Sequence, residues 1–99
     1  MSRVMFTISY SISPERRDEY LRLLGELKTH FTTLGRKNYM VFESRGKKNH
    51  FTEVFLSDSL EDFDALEDNQ DEKTQELIQR LEEFVDKGGM KYSTMIEVS

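Results

Sequence analysis

The 99-residue chain has no cysteine, no tryptophan, a single proline (Pro14) and only two histidines, His30 and His50. Without cysteine there is no disulfide, no thiolate nucleophile and no thiolate metal site, a usage that fits a reducing compartment. A metal site needs three or four converging ligands, often with a helical His pair at i and i+4, and two distant histidines do not supply it, so no metal is expected. Long apolar runs are also missing. No stretch is long enough to span a bilayer, and the opening MSRVMFTISYSIS alternates apolar and polar residues instead of forming the core of a secretory signal. A cytoplasmic protein with no membrane partner is the expectation. Nothing resembles a nucleophile elbow, a P-loop or a dinucleotide fingerprint, so covalent and nucleotide chemistry have no positive support and no cofactor is expected.

What is present is an ordinary globular composition. With 36% hydrophobic and 33% charged residues the chain has enough apolar material to fold, yet its length allows only one core, hence one domain over residues 1–99. The net charge of −5 is unevenly spread: residues 1–48 hold ten Lys/Arg against five Asp/Glu, and the remainder holds four against fourteen. The acidic excess lies mainly in EDFDALEDNQDEKTQELIQRLEEFVD, which reads as a solvated helix face or, alternatively, a docking surface for a basic partner.

The first segment alternates with period two. Val4, Phe6, Ile8, Tyr10 and Ile12 form one side of a strand, and Met5, Thr7, Ser9 and Ser11 the other. Ser13–Pro14 is a helix start, with a capping hydroxyl followed by a proline whose missing N–H costs nothing there. Tyr20, Leu24, Leu27, Phe31 and Leu34 then recur at helical spacing until Gly35. KNYMVFESR and HFTEVFLS are β-rich runs joined across Gly46, Lys47, Lys48 and Asn49, as in a hairpin. Ser59 with Asp62 resembles a capping box and opens a helix through Phe63 and Leu66, which the run EDNQDE interrupts. Leu77, Ile78, Leu81, Phe84 and Val85 resume a helical stripe up to Gly88 and Gly89. A last strand alternates Tyr92, Thr94, Ile96 and Val98 against Lys91, Ser93, Met95 and Glu97.

The order β-α-β-β-α-β is the split βαβ pattern of an α+β, ferredoxin-like domain: a four-stranded antiparallel sheet with both helices on one face. The apolar side of the first strand faces the helices, and on the third strand Val54 and Leu56 are the expected counterparts. That assignment puts Phe51, Glu53, Phe55 and Ser57 on the opposite, open face with Thr7, Ser9 and Met95. Exposed apolar surface of this kind marks an association or ligand site, so a second copy is expected to cover the face, with Phe55 at the interface.

With this layout the chain resembles the dimeric α/β-barrel superfamily and its antibiotic biosynthesis monooxygenase (ABM) branch. The first strand leading into SPERRDEYLRLL is similar to the family's strand, proline turn and helix start, and FTEVFLSDSLEDF to its third strand entering an acidic, serine-containing helix start. The resemblance covers nearly the whole chain. It implies a homodimer whose sheets pack face to face as a barrel, with a cavity in each protomer. The haem-degrading members carry an asparagine, a tryptophan and a histidine at places that fall here near Ser9, on Ser57 and near Glu76, so haem degradation is not implied.

Glu53, between two phenylalanines, is the most informative residue. Desolvation by a docked partner would raise its pKa. Its carboxylate could pair with Arg45, Lys91 or the other subunit, could orient a ligand, or could act as a catalytic general acid or base. Thr7, Ser9, Tyr39, Phe51, Phe55 and Ser57 are the ligand-binding candidates, the ligand being a small apolar or aromatic molecule and the activity, if any, oxygenase-like or isomerase-like. Two other readings remain open. One is a non-catalytic dimerisation or regulatory module. The other is an RNA-binding sheet, with Phe51 and Phe55 spaced for base stacking after the basic loop RGKKNHF. The acid between the aromatics and the net negative charge argue against nucleic acid.

Overall fold

The computed structural model describes residues 2–35, 38–68 and 71–98. Strand β1 spans Val4–Ser11, and a 3-10 turn, Pro14–Arg16, leads into helix α1, Arg17–Thr33. Strands β2 (Tyr39–Glu43) and β3 (His50–Ser57) form the hairpin, helices α2 (Leu60–Asp68) and α3 (Glu72–Glu82) follow, and β4 (Lys91–Ile96) closes the order. The four strands are ordered β2-β3-β1-β4 and every neighbouring pair is antiparallel, the ferredoxin-like arrangement expected. Among the described residues no helix is long and apolar enough to cross a membrane.

Local chemistry sets the helix ends. Pro14 sits at the start of the 3-10 turn, but the expected hydroxyl cap at Ser13 is not formed; its carbonyl instead accepts the Arg16 amide at 3.0 Å. The α1 stripe is Tyr20, Leu23, Leu24, Leu27 and Phe31. Leu34 does not belong to it, because helical geometry stops at Thr33 and Leu34 is 42% exposed. Gly35 then turns the chain with φ +78°, a conformation that costs glycine little. The Ser59 hydroxyl accepts the Asp62 amide at 3.2 Å, as a capping serine does. The break between α2 and α3 falls inside EDNQDE; Asn69, Gln70 and the side chain of Leu66 lie outside the described residues. Helix α3 ends at Glu82, before the paired glycines, and the turn beyond it carries Phe84 into the core and Val85 into a bridge with Ile12.

The register between β1 and β3 overturns the expected faces of the third strand. Tyr10 lies opposite Phe51, Ile8 opposite Glu53, Phe6 opposite Phe55 and Val4 opposite Ser57. Residues directly opposed in an antiparallel ladder project to the same side. Phe51, Glu53, Phe55 and Ser57 therefore face the helices, while Val54 and Leu56 join Met5, Thr7 and Ser9 on the open face. Both sides of β3 are apolar, so alternation alone could not choose between them, and a shift of one residue reverses every side chain.

Packed between helices and sheet are Tyr10, Ile12, Tyr20, Leu23, Leu27, Phe31, Phe51, Leu77 and Leu81, all nearly solvent-free. Two polar devices hold the periphery. Arg17 makes a two-pronged pair with Glu43 at 2.6 and 2.9 Å and also donates to the Asn49 side chain at 2.9 Å. The Asn49 amide in turn donates to Glu43, which locks the hairpin end to the start of α1 and depresses the Glu43 carboxyl to about 2. His30 of α1 is bonded to the Thr74 hydroxyl at 3.0 Å and the Asp71 carboxylate at 3.1 Å, joining α1 to the start of α3. Strand β4 is exposed along its whole length.

The corrected α1 stripe has a measurable consequence. Leu23→Ala should cost about 2–5 kcal/mol of unfolding free energy in urea, and Leu34→Ala no more than ~0.5 kcal/mol. Equal effects at the two positions would mean that the helix face has been misassigned.

Candidate functional site

Glu53 lies at the centre of the helix-facing side of the sheet, with Ile8 opposite on β1 and Val41 opposite on β2. Along its own strand that face carries Phe51 and Phe55. The residue is 2% exposed. Its one hydrogen-bonded oxygen, Oε1, accepts the Tyr39 hydroxyl at 2.6 Å, and Oε2 has no partner among the described residues. The Tyr10 hydroxyl also acts on the carboxyl, but its hydrogen bond goes to the Tyr20 hydroxyl at 2.6 Å. Arg45 and Lys91, the cations expected to pair with Glu53, do not touch it. Strand β2 supplies Tyr39 instead, because Tyr39 and Val41 share the helix-facing side with Glu53 in the β2–β3 register.

Burial raises the Glu53 carboxyl above its ordinary value of 4.5, and the hydroxyls of Tyr39 and Tyr10 only partly offset this. The desolvation comes from the protomer's own helices and needs no docked partner. Burial likewise pushes the Tyr10 and Tyr39 phenols far up, helped by the neighbouring carboxyl. The site thus favours neutral forms throughout: an acid and three phenols in an apolar shell.

Aromatic packing fixes these groups in place. Tyr39 meets Phe31 edge-on at 4.7 Å and Phe55 at 4.9 Å between ring centroids, and Phe31 also meets Phe55 at 5.6 Å. Tyr39 also borders a cavity of about 360 Å³ between the end of α1, the edge of the sheet and α2. Leu34, Asn38, Phe55, Leu56, Ser57, Asp58, Asp62 and Ala65 complete most of its wall. Ser57 is 5% exposed, and its hydroxyl is shut off from solvent with no hydrogen-bond partner among the described residues.

The sequence candidates are therefore divided. Tyr39, Phe55 and Ser57 line the cavity, and Glu53 stands one hydrogen bond behind Tyr39. Phe51 faces the same side but is covered by Tyr20 at 4.6 Å, further along the strand. Thr7 and Ser9 lie on the opposite face of the sheet, where Ser9 bonds Thr52 at 2.9 Å, and they do not join the site. Because Phe51 is buried and Phe55 faces the helices, neither can stack a base on the open face, which removes the support for an RNA-binding sheet. Sequence reasoning missed Tyr10, Tyr20, Asp58 and Asp62. A tyrosine in the otherwise aliphatic and phenyl face of β1 was the available signal for the first, since a buried phenol needs a polar partner.

No protein-family model matches the sequence, and no curated protein matches it. Among solved structures, a candidate antibiotic biosynthesis monooxygenase of Caulobacter crescentus superposes with a TM-score of 0.81 at 9% identity, covering 99% of this chain and 92% of the other. A conserved protein of Methanosarcina mazei gives 0.78 at 17% identity, covering 96% and 92%. A NIPSNAP family protein of Agrobacterium tumefaciens gives 0.70 at 17%, covering 98% and 87%. Further antibiotic biosynthesis monooxygenases share the same architecture. At these identities the likeness establishes the fold, that of the ABM proteins, and leaves activity to the site itself.

The protonation of Glu53 has a defined linkage. With its folded value raised, the unfolded chain releases this proton first as pH increases. The stability tied to Glu53 is complete below about 4.5 and is lost up to the folded value, by about 1.4 kcal/mol per pH unit. Glu53→Gln removes the dependence. Urea denaturation from about pH 4 to about pH 8 should show the variant gaining on the wild type as pH rises; a pH-independent difference would refute the neutral-acid assignment.

Proposed function

We propose that the protein is a homodimeric α/β barrel that binds a small apolar or aromatic molecule beside Tyr39, with Glu53 acting as an acid through the Tyr39 hydroxyl. The observation that carries this reading is the 2.6 Å hydrogen bond linking a cavity-lining phenol to a buried carboxyl. A core glutamate with one unpartnered oxygen costs stability that an apolar residue of similar size would not. Perturbed groups beside a cavity are where binding and catalysis concentrate.

The chemistry this favours is proton relocation. For this the Tyr39 hydroxyl turns its proton from Oε1 to a bound ligand and accepts the proton of the neutral Glu53 carboxyl in its place, and a proton released elsewhere on the ligand returns through Tyr39 to restore the acid. That is an isomerase-like step. An oxygenase-like reaction, the activity in the names of several fold neighbours, would draw on the same proton path and in addition on dioxygen.

The homodimer rests on the open face. Met5, Phe42 and Met95 are 37%, 57% and 47% exposed there, beside Met40, Val54 and Leu56. Apolar surface of that kind is usually covered. This face also supports the second reading, a non-catalytic dimerisation module, which shares the interface but has no use for Glu53.

Two measurements test the proposal. Met95→Asp should leave far-UV circular dichroism intact and convert a dimer to a monomer in sedimentation, whereas a variant that stays dimeric would exclude the open face as the interface. Native mass spectrometry of the protein purified from cells should show a dimer carrying a small additional mass, lost in Ala65→Phe, which places a ring at an exposed residue of the cavity wall. A bare wild-type dimer would favour the non-catalytic module.

A further inference from the structure

Resting on the reading of Glu53 as an acid, we infer that Tyr10 and Tyr20 are positioning residues for it: when the carboxyl gives its proton to Tyr39, Tyr10 donates to Oε2 and Tyr20 donates to Tyr10, a chain of two hydroxyls that holds the charge left behind. The proton path above uses only Oε1 and leaves this pair without a task.

Two elements place the pair. On β1, Tyr10 is the diagonal neighbour of Glu53, since it stands opposite Phe51 while Ile8 stands opposite Glu53. An aromatic side chain can span that diagonal on the shared face. Helix α1 brings Tyr20 onto the same face, and the two hydroxyl oxygens meet at 2.6 Å with the rings edge to face. Tyr10 is 1% and Tyr20 0% exposed, so neither turns its hydroxyl to bulk water.

Counting protons gives the chain its direction. Of the two hydroxyl protons, one lies in the Tyr10–Tyr20 bond and the other is spare. Were Tyr10 the donor, the spare proton would sit on Tyr20, whose ring packs on Phe51 and Phe84 and whose hydroxyl has no second hydrogen-bond partner among the described residues. With Tyr20 as donor it sits on Tyr10, beside the carboxyl on which that hydroxyl acts. Oε2, shut off from solvent and without a partner among the described residues, is the oxygen left to accept it.

The chain serves the ionised acid more than the neutral one. When Tyr39 takes the carboxyl proton, that proton remains hydrogen-bonded to Oε1, and Oε2 is left without a donor. Hydrogen bonds to a carboxylate are roughly twice as strong as neutral ones, so the spare Tyr10 proton closes on Oε2 as the charge forms. Tyr20 strengthens that bond by polarising the Tyr10 hydroxyl.

The test follows the Glu53 carboxyl itself. Its carboxyl carbon is titrated by carbon-13 NMR in the full chain, across the pH range in which the fold persists, with Glu53→Gln assigning the resonance. Removing a donor that favours the charged form raises the midpoint, so Tyr10→Phe and Tyr39→Phe should each move it up, and Tyr20→Phe should move it up by less. In a Tyr10→Phe background Tyr20→Phe should add nothing, because Tyr20 acts only through Tyr10. All three substitutions keep the rings, and a purely structural role would not produce this order. An unmoved midpoint in Tyr10→Phe, or an effect of Tyr20→Phe that persists without the Tyr10 hydroxyl, overturns the chain and leaves the acid reading standing. Should Tyr10→Phe fail to fold, Tyr20→Phe decides alone, and an unmoved midpoint there overturns the chain. A wild-type carboxyl that stays protonated until the fold is lost offers no carboxylate to hold and overturns it too. If the wild-type carboxyl ionises in its ordinary range, the acid reading itself fails and the chain falls with it.

Discussion

Everything in this molecule depends on the pairing of β1 with β3. That ladder is the centre of the sheet, and its register puts Tyr10 against Phe51 and Ile8 against Glu53. Parity follows for the whole sheet. Because Tyr39 and Val41 are fixed by β3, they too fall on the helix side, which is how a phenol on the edge strand reaches a carboxyl two residues back along its neighbour. Shifted by one position, the same sequence would bury Val54 and Leu56, leave Glu53 in water and dissolve the site.

The buried acid then organises its surroundings by what it lacks. Among the described residues no cation compensates it, so burial favours the neutral form, and the hydroxyls of Tyr39 and Tyr10 only partly offset this. Tyr39 has a double position, hydrogen-bonded to Glu53 and lining the cavity. Tyr10 and Tyr20 satisfy each other through their own short bond, so they complete the polar cluster without relieving Oε2. The core is therefore well packed but not fully satisfied, and the deficit lies one hydrogen bond behind a residue of the cavity wall. A structural core would be expected to remove such a group.

Much of the architecture was legible in the sequence, because period-two and helical stripes differ sharply and turn residues punctuate them. The element order, the Ser59 cap, the turn at Gly35 and the break within EDNQDE could all be read there. The faces of β3 could not, since Phe51 and Phe55 on one side and Val54 and Leu56 on the other are equally apolar and only register decides. Glu53 was recognisable as anomalous for its setting, but its partner Tyr39 depended on that same register. Ser57 and Tyr39 were candidates for a cavity placed on the wrong side of the sheet, and they line one nonetheless. Asp58 and Asp62 looked like ordinary helix-start acids. Their place on a cavity rim is a product of how α2 packs beside β3, which no local pattern encodes.

Strand β4 differs from the other three in what holds it. Tyr92 and Ile96, which share the helix side with Phe6 and Val4, are 61% and 55% exposed. Its attachment is the backbone ladder to β1, the stacking of Tyr92 on Phe6 and the Arg3–Glu97 pair at its end. Ladder bonds open to water on both sides contribute little net free energy each. In the lone protomer the C-terminal strand is thus a weakly held edge, whose local opening is expected toward the low end of the free-energy scale, below that of the β1–β3 centre. When it leaves, β1 becomes an unpaired border of the sheet, with its hydrogen-bonding groups open to any extended segment that reaches them.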